Sequence, residues 1–313
     1  MDLMTLLRRL TMANLVANMA IIWTGALVRL TRSGLGCATW PQCQQGSYVP
    51  RPEDGLHGAI EFGNRLLTFV LAAIALATAL YAWRAFRRGL APLRLFELSI
   101  GVGLGIIAQA VIGGVSVLTQ LDPWVVGLHM VASVALILMA LEMVRLAFER
   151  EPALASGRLY VLTRLVFLLG MVVVALGVVV TGSGPHSGDG AATRNGFSPE
   201  WTAKIHAWSV WALVALTVLG LLWAWSDARL RRVWLVLLAT ELLQGVIGYV
   251  QYFTHLPTLL VLLHMIGTTL FVVALGHAWH ATTYRGARGP LPPGRGERGP
   301  RVVSPAPSDR AGR

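Results

Sequence analysis

The chain has 313 residues, 55% of them hydrophobic and 13% charged, with a mean hydropathy of +0.62. A soluble domain carries about 25% charged residues, so this composition excludes an ordinary soluble enzyme and makes the membrane span the unit to count. The net charge of +11 raises nucleic acid as a partner, but all except Lys204 of the 26 basic residues are arginines set in short runs between apolar segments or in the tail. That is the placement of the positive-inside rule rather than a nucleic-acid-binding face.

Eight apolar segments follow one another at about 10–30, 61–83, 95–118, 125–147, 162–181, 202–225, 233–253 and 258–281. Each is long enough for the roughly 20 residues that cross a bilayer core as a helix. The first exceeds a signal-peptide core and is followed by no small-residue cleavage site, so it is expected to be a retained helix. Arg8 and Arg9 precede it; Arg84, Arg87, Arg88 and Arg94 lie between spans two and three. Arg150, Arg158 and Arg164 lie between four and five, and Arg229, Arg231 and Arg232 between six and seven. These connections and both termini are therefore expected in the cytoplasm. The loop with Cys37 and Cys43, and the loop from Gly182 to Glu200, then lie outside. Two isolated cysteines without a flanking histidine pair cannot build a zinc finger; they are disulfide candidates if their loop faces an oxidising compartment. From about Thr283 to Arg313 the chain is rich in Gly, Pro and Arg. Such a tail buries too little apolar surface to offset its ordering entropy.

The chain repeats itself. Gln109-Ala-Val-Ile-Gly-Gly-Val through Leu128-His129-Met130 aligns with Gln244-Gly-Val-Ile-Gly-Tyr-Val through Leu263-His264-Met265, with 11 of 22 positions identical at a constant offset of 135. A weaker echo relates Leu30-Thr31-Arg32-Ser33-Gly34 to Val180-Thr181-Gly182-Ser183-Gly184. Four spans separate the copies, so both halves have the same orientation, as a parallel repeat about an axis along the membrane normal. The fold class read from this is an all-α polytopic membrane protein of two four-helix bundles. The halves are 1–150 and 151–282, followed by a disordered basic cytoplasmic tail at 283–313.

Ionisable residues inside spans are costly and mark function by default. His129 begins the fourth span, His264 holds the matching place in the eighth, and His206 lies near the start of the sixth, all near the outer face. Where His206 has its counterpart in the second span stand Glu61, Asn64 and Arg65. Imidazoles from facing helices at one depth are a common way to hold a heme iron, tuned by axial ligand and burial. His206 and His264 can make such a pair in the second half. The repeat predicts a second site in the first, with His129 facing the Glu61/Asn64 region. A lone intramembrane histidine is more often a hydrogen-bonding residue; repetition in register favours ligation for His129 and His264. His57, His186 and His255 fall in outer loops, and His277 and His280 read as basic anchors. Gln109 and Gln244 read as interhelical hydrogen bonders. Glu61 with Arg65 at (i, i+4) fits a structural ion pair as well as a catalytic carboxylate.

Gly34-Leu35-Gly36-Cys37-Ala38-Thr39-Trp40-Pro41-Gln42-Cys43, Ile60-Glu61-Phe62-Gly63-Asn64-Arg65-Leu66-Leu67 and the His129 helix resemble the heme A synthase family. So do Thr181-Gly182-Ser183-Gly184-Pro185-His186-Ser187-Gly188-Asp189 and the His206 and His264 helices. The resemblance runs from the first span through the eighth and omits the tail. It implies an oxidoreductase that converts the C8 methyl group of heme O to the formyl group of heme A. It implies heme b in the C-terminal half on His206 and His264, and substrate heme O in the N-terminal half on His129, with Glu61 needed for the oxidation. It also implies a Cys37–Cys43 disulfide. Many members have histidine where this chain has Asn64, and Asn is a poor iron ligand. Either His129 alone holds the substrate iron or another residue, His57 being one turn before Glu61, takes that place.

On this reading Arg29, Arg32 and Arg65 are candidates to pair with heme propionates. The partners expected are the lipid bilayer, a heme O synthase, a quinone-linked electron carrier and the terminal-oxidase assembly machinery. The location expected is a bacterial plasma membrane. The alternative is a two-heme, quinol-linked electron-transfer cytochrome without heme-modifying activity. A parallel-repeat transporter would want polar groups near the midplane, and Glu97, Glu142 and Glu241 lie towards the cytoplasmic ends.

Overall fold

A computed structural model describes residues 2–148, 153–190 and 192–284. The helices are α1 (Leu3–Leu30), α2 (Gly55–Arg87, led in by a 310 turn at Pro52–Asp54), α3 (Leu93–Leu118), α4 (Pro123–Ala147), α5 (Gly157–Ser183), α6 (Pro199–Trp223), α7 (Ala228–Phe253) and α8 (Thr258–Ala281). All eight are long and apolar enough to cross a bilayer. The protein is a multi-pass membrane protein. Several helices begin before the apolar segments read from the sequence, and four of these earlier starts are capped by side chains. Asp122, Ser156, Ser198 and Asp227 each accept backbone N–H groups in the first turn of α4, α5, α6 and α7. These are donors that the helix itself cannot pair.

Helices α1–α4 pack around one another, as do α5–α8, and the two bundles meet where α1 and α4 lie against α8 and α4 lies against α5. One buried apolar cluster runs through both, from Leu15 and Ile22 through Val134 and Ile137 to Val166, Trp234 and Leu275. Lipid is as apolar as leucine, so the hydrophobic effect does not drive these helices together. Close packing and interhelical polar contacts do. At the end of the bundle where α4 finishes, Glu142 of α4 meets Arg145 at 2.6 Å, Arg94 of α3 at 3.6 Å and His280 of α8 at 3.1 Å, tying the two halves. Two three-residue strands, β1 (Ala153–Ala155) and β2 (Thr282–Tyr284), pair in parallel beside it. The rest of the tail expected at 283–313 lies outside the described residues.

Small residues set how closely helices approach. Trp234 of α7 is fully buried, and its ring lies where a Cβ on Gly220 of α6 would project. Gly220→Leu should unseat that ring and destabilise the protein by about 1–3 kcal/mol, read as a lower unfolding temperature in detergent. An unchanged temperature would mean that α6 and α7 repack at no cost.

Candidate functional site

The even-numbered helices all start at the end opposite Glu142. His129 stands six residues into α4, His264 six into α8 and His206 seven into α6. Glu61 stands six residues into α2. At 1.5 Å per residue, all four lie roughly 9–10 Å from their helix starts. Equal depth in equivalent helices is what the parallel repeat requires. The three histidines line a single cavity of about 860 Å3 that reaches into both bundles.

Each imidazole faces a glycine on the preceding helix. A Cβ would come within 3.3 Å of His129 Cε1 from Gly113, 3.3 Å of His206 Cε1 from Gly177, and 3.5 Å of His264 Cε1 from Gly248. The seats repeat in detail. The Ser133 hydroxyl donates to the His129 carbonyl at 2.9 Å, and the Thr268 hydroxyl donates to the His264 carbonyl at 2.8 Å. Nδ1 of all three rings is buried and makes no hydrogen bond.

Those atoms belong to a wider pattern. Among the described residues, the buried side-chain N and O atoms without a partner sit on Gln109, His129, His206, Trp234, Glu241, Gln244, Gln251 and His264. All of these residues except Trp234 line the cavity. An unpaired polar group in hydrocarbon costs several kcal/mol, so this concentration marks a chamber built for a polar-faced occupant or ordered water. A chamber of this size with three imidazoles in its wall suits a heme.

Glu61 closes the disulfide end of the first half. Its Oε2 accepts the Cys37 N–H at 2.7 Å, and its Oε1 accepts from Arg65 Nη2 at 2.6 Å and Nε at 3.2 Å. Arg65 also donates to the carbonyls of Cys37, Thr39 and Gln42 at 3.1–3.3 Å. Cys37 and Cys43 form a disulfide and are buried. Trp40, from the same loop, lies over Gly114 of α3 and forms part of the cavity wall. One ion pair therefore holds both the carboxylate and the loop that roofs the chamber.

The remaining predicted residues divide. Asn64 lines the cavity, but its Oδ1 accepts the Thr24 hydroxyl at 2.7 Å. His57 does not reach the wall; it is exposed in the first turn of α2 and pairs with the Ser33 hydroxyl at 2.9 Å. Arg29 lines the cavity and donates to the carbonyls of Thr181 (2.8 Å) and His186. Arg32 is exposed outside the wall, in a left-handed turn at φ 58°. His186 instead bridges to the Leu256 carbonyl at 2.9 Å. Glu241 was not expected here. It is buried, accepts the Thr217 hydroxyl at 2.8 Å and lines the chamber with Gln244 and Gln251. A lone carboxylate inside an apolar span was the signal that could have found it.

The family model described as cytochrome oxidase assembly protein, COX15-CtaA, matches residues 8–59. The heme A synthase of Bacillus licheniformis is 25% identical over 280 residues, covering 82% of this chain and 90% of that one. Those of Geobacillus thermodenitrificans and Lysinibacillus sphaericus are 28% and 35% identical over 146 and 125 residues. These shorter matches span 44% and 39% of the relatives' lengths. The chain is thus similar to heme A synthases, over most of its length at 25% identity and over shorter segments at up to 35%. The matched segment 8–59 covers α1 and the disulfide loop, the part of the chain that brings Arg29 and Trp40 to the cavity.

Removing the Arg65 guanidinium leaves a buried carboxylate and three backbone carbonyls without their donor. Breaking a buried pair in this way costs roughly 3–5 kcal/mol. Arg65→Met should lower the unfolding temperature and speed proteolysis within 36–54. Unaltered proteolysis would show that the loop is held by other contacts.

Proposed function

We propose that this protein is an oxidoreductase of heme A biosynthesis, converting the C8 methyl group of heme O to a formyl group. The observation that carries the reading is the chamber itself: three equal-depth imidazoles and a buried, arginine-held carboxylate around one cavity of about 860 Å3. The names of the relatives support it. The substrate site is assigned to the first half, 1–150, and a resident heme b to the second, 151–282.

In the second half, His206 and His264 would hold heme b, whose chemistry is one-electron transfer. The surrounding helices position those rings, with Gly177 and Gly248 leaving room for them. In the first half, His129 would hold the iron of heme O. Asn64, its Oδ1 engaged with the Thr24 hydroxyl, would not be a ligand to that iron. With water as the oxygen source, methyl to alcohol and alcohol to aldehyde each release two electrons and two protons, and a quinone-linked carrier would take the electrons. Glu61 is the base within reach of the first half's chamber. It would take the substrate's proton at Oε2 while Arg65 holds Oε1 and the Cys37 N–H keeps the carboxylate in place. Arg29 and Arg65 line the wall where propionates of a bound heme would need cations; Arg32, outside the wall, is no longer part of that assignment. The location this role expects is a bacterial plasma membrane, and the arginine distribution favours both termini in the cytoplasm. A heme O synthase, a quinone-linked carrier and the oxidase assembly machinery are the partners this role needs.

The test is expression with a heme O synthase in a host lacking heme A, followed by chromatography and mass analysis of extracted hemes. Heme A or its hydroxymethyl precursor should appear with the natural chain. Glu61→Ala and Glu61→Gln should cut that product by about 100-fold or more, the scale of general acid–base catalysis, while heme b stays bound. Product from both variants at the natural rate would remove Glu61 from the mechanism. Heme b without any conversion of heme O would favour the electron-transfer cytochrome.

A further inference from the structure

The two halves repeat in their histidine seats but differ in access. Every residue that α5–α8 contribute to the cavity wall is buried or half-buried. In the first half, Leu66 and Phe69 of α2 line the same cavity while being 47% and 72% exposed. Above them, Tyr48 and Val49 of the disulfide loop line it at 66% and 55% exposure. The chamber therefore has a mouth, and the mouth is apolar.

Its position along α2 says what it opens onto. From Leu66 to Trp83 the helix carries no charged residue, and Phe69 lies within that stretch, some 20 Å from the start of α2. At that depth the exposed flank of a spanning helix faces hydrocarbon, not water. Tyr48 stands at the loop-side lip, where a ring with a polar tip suits the membrane interface. The wall behind the mouth is polar, with Arg65, Glu61 and Asn64 on the same helix. An occupant matching this gradient has an apolar body or chain towards lipid and acidic groups towards the loop.

We propose that the first half exchanges its tetrapyrrole sideways with the bilayer, through the mouth framed by Tyr48, Val49, Leu66 and Phe69, while the second half keeps its own sealed. This rests on the assignment of the substrate to the first half. The mouth takes a membrane-dissolved heme with an apolar side chain, and Leu66 and Phe69 set how fast it passes. A substrate carried in a lipid-soluble form then never needs to cross the aqueous loop side. The other exposed wall residues are Pro41 and Thr193, both on loops, and Thr193 marks the route from water.

The test uses the heme b-loaded full chain in nanodiscs, mixed with vesicles containing heme O, with uptake followed by absorbance. Leu66→Trp/Phe69→Trp, which narrows the mouth, should slow uptake several-fold and leave heme b content unchanged. Phe69→Ala should match or exceed the natural rate, and Thr193→Trp, at the loop route, should slow uptake far less than the double tryptophan variant. Uptake unaffected by the double tryptophan variant, or slowed by Thr193→Trp instead, would overturn the lateral route. No uptake by the natural chain would overturn it together with the substrate assignment. Uptake without later conversion to heme A would leave the route standing and refute the enzymatic reading.

Discussion

A helix in hydrocarbon satisfies its own backbone but not its polar side chains, and nothing in the lipid will do it for them. This protein confines nearly all of that unmet demand to one chamber. The partnerless buried atoms on His129, His206, His264, Gln109, Gln244, Gln251 and Glu241 all belong to its wall. Elsewhere among the described residues only the buried Trp234 Nε1 lacks a partner. Trp23 bonds Thr269 across the two bundles, and Glu142 has Arg94, Arg145 and His280 around it. The contrast between a satisfied scaffold and an unsatisfied chamber makes the chamber the place where a ligand gains most by binding.

The Glu61–Arg65 pair gives the chamber its roof. Cys37 and Cys43 fix the loop covalently, but it is Arg65 that gathers the loop's carbonyls and Glu61 that takes the Cys37 N–H. On the other side, Arg29 reaches from α1 to the Thr181 and His186 carbonyls, and the Gly34 N–H donates to the Gly188 carbonyl at 3.0 Å. The loops of both halves are thus stitched at the end where the histidines lie. Binding residues close to covalently and ionically fixed loops lose little freedom on binding, which favours a preorganised site.

The helices and the repeat were legible in the sequence, because span length and a constant offset of 135 survive without knowledge of packing. The equal depth of His129 and His264 followed from that offset. Four things were not legible. Four helices start at Asp or Ser caps outside their apolar stretches, and hydropathy alone does not count them. His57 sits one turn from Glu61 in sequence, yet it points to Ser33 rather than into the chamber, since one turn along a helix fixes height but not what lies opposite. Glu241 was read as lying towards the cytoplasmic end of its span, but it stands at the middle of α7 and there meets the cavity. The difference in access between the halves depends on exposure, which no repeat pattern carries.

The account rests on two chemically distinct sites built from one repeated frame, with the resident heme in the second half. Magnetic circular dichroism of the purified protein tests this directly. The natural chain should show a low-spin bis-imidazole heme that is lost in His206→Ala and in His264→Ala but retained in His129→Ala. Loss of that signal in His129→Ala, or its survival in His264→Ala, would contradict the assignment of the two halves.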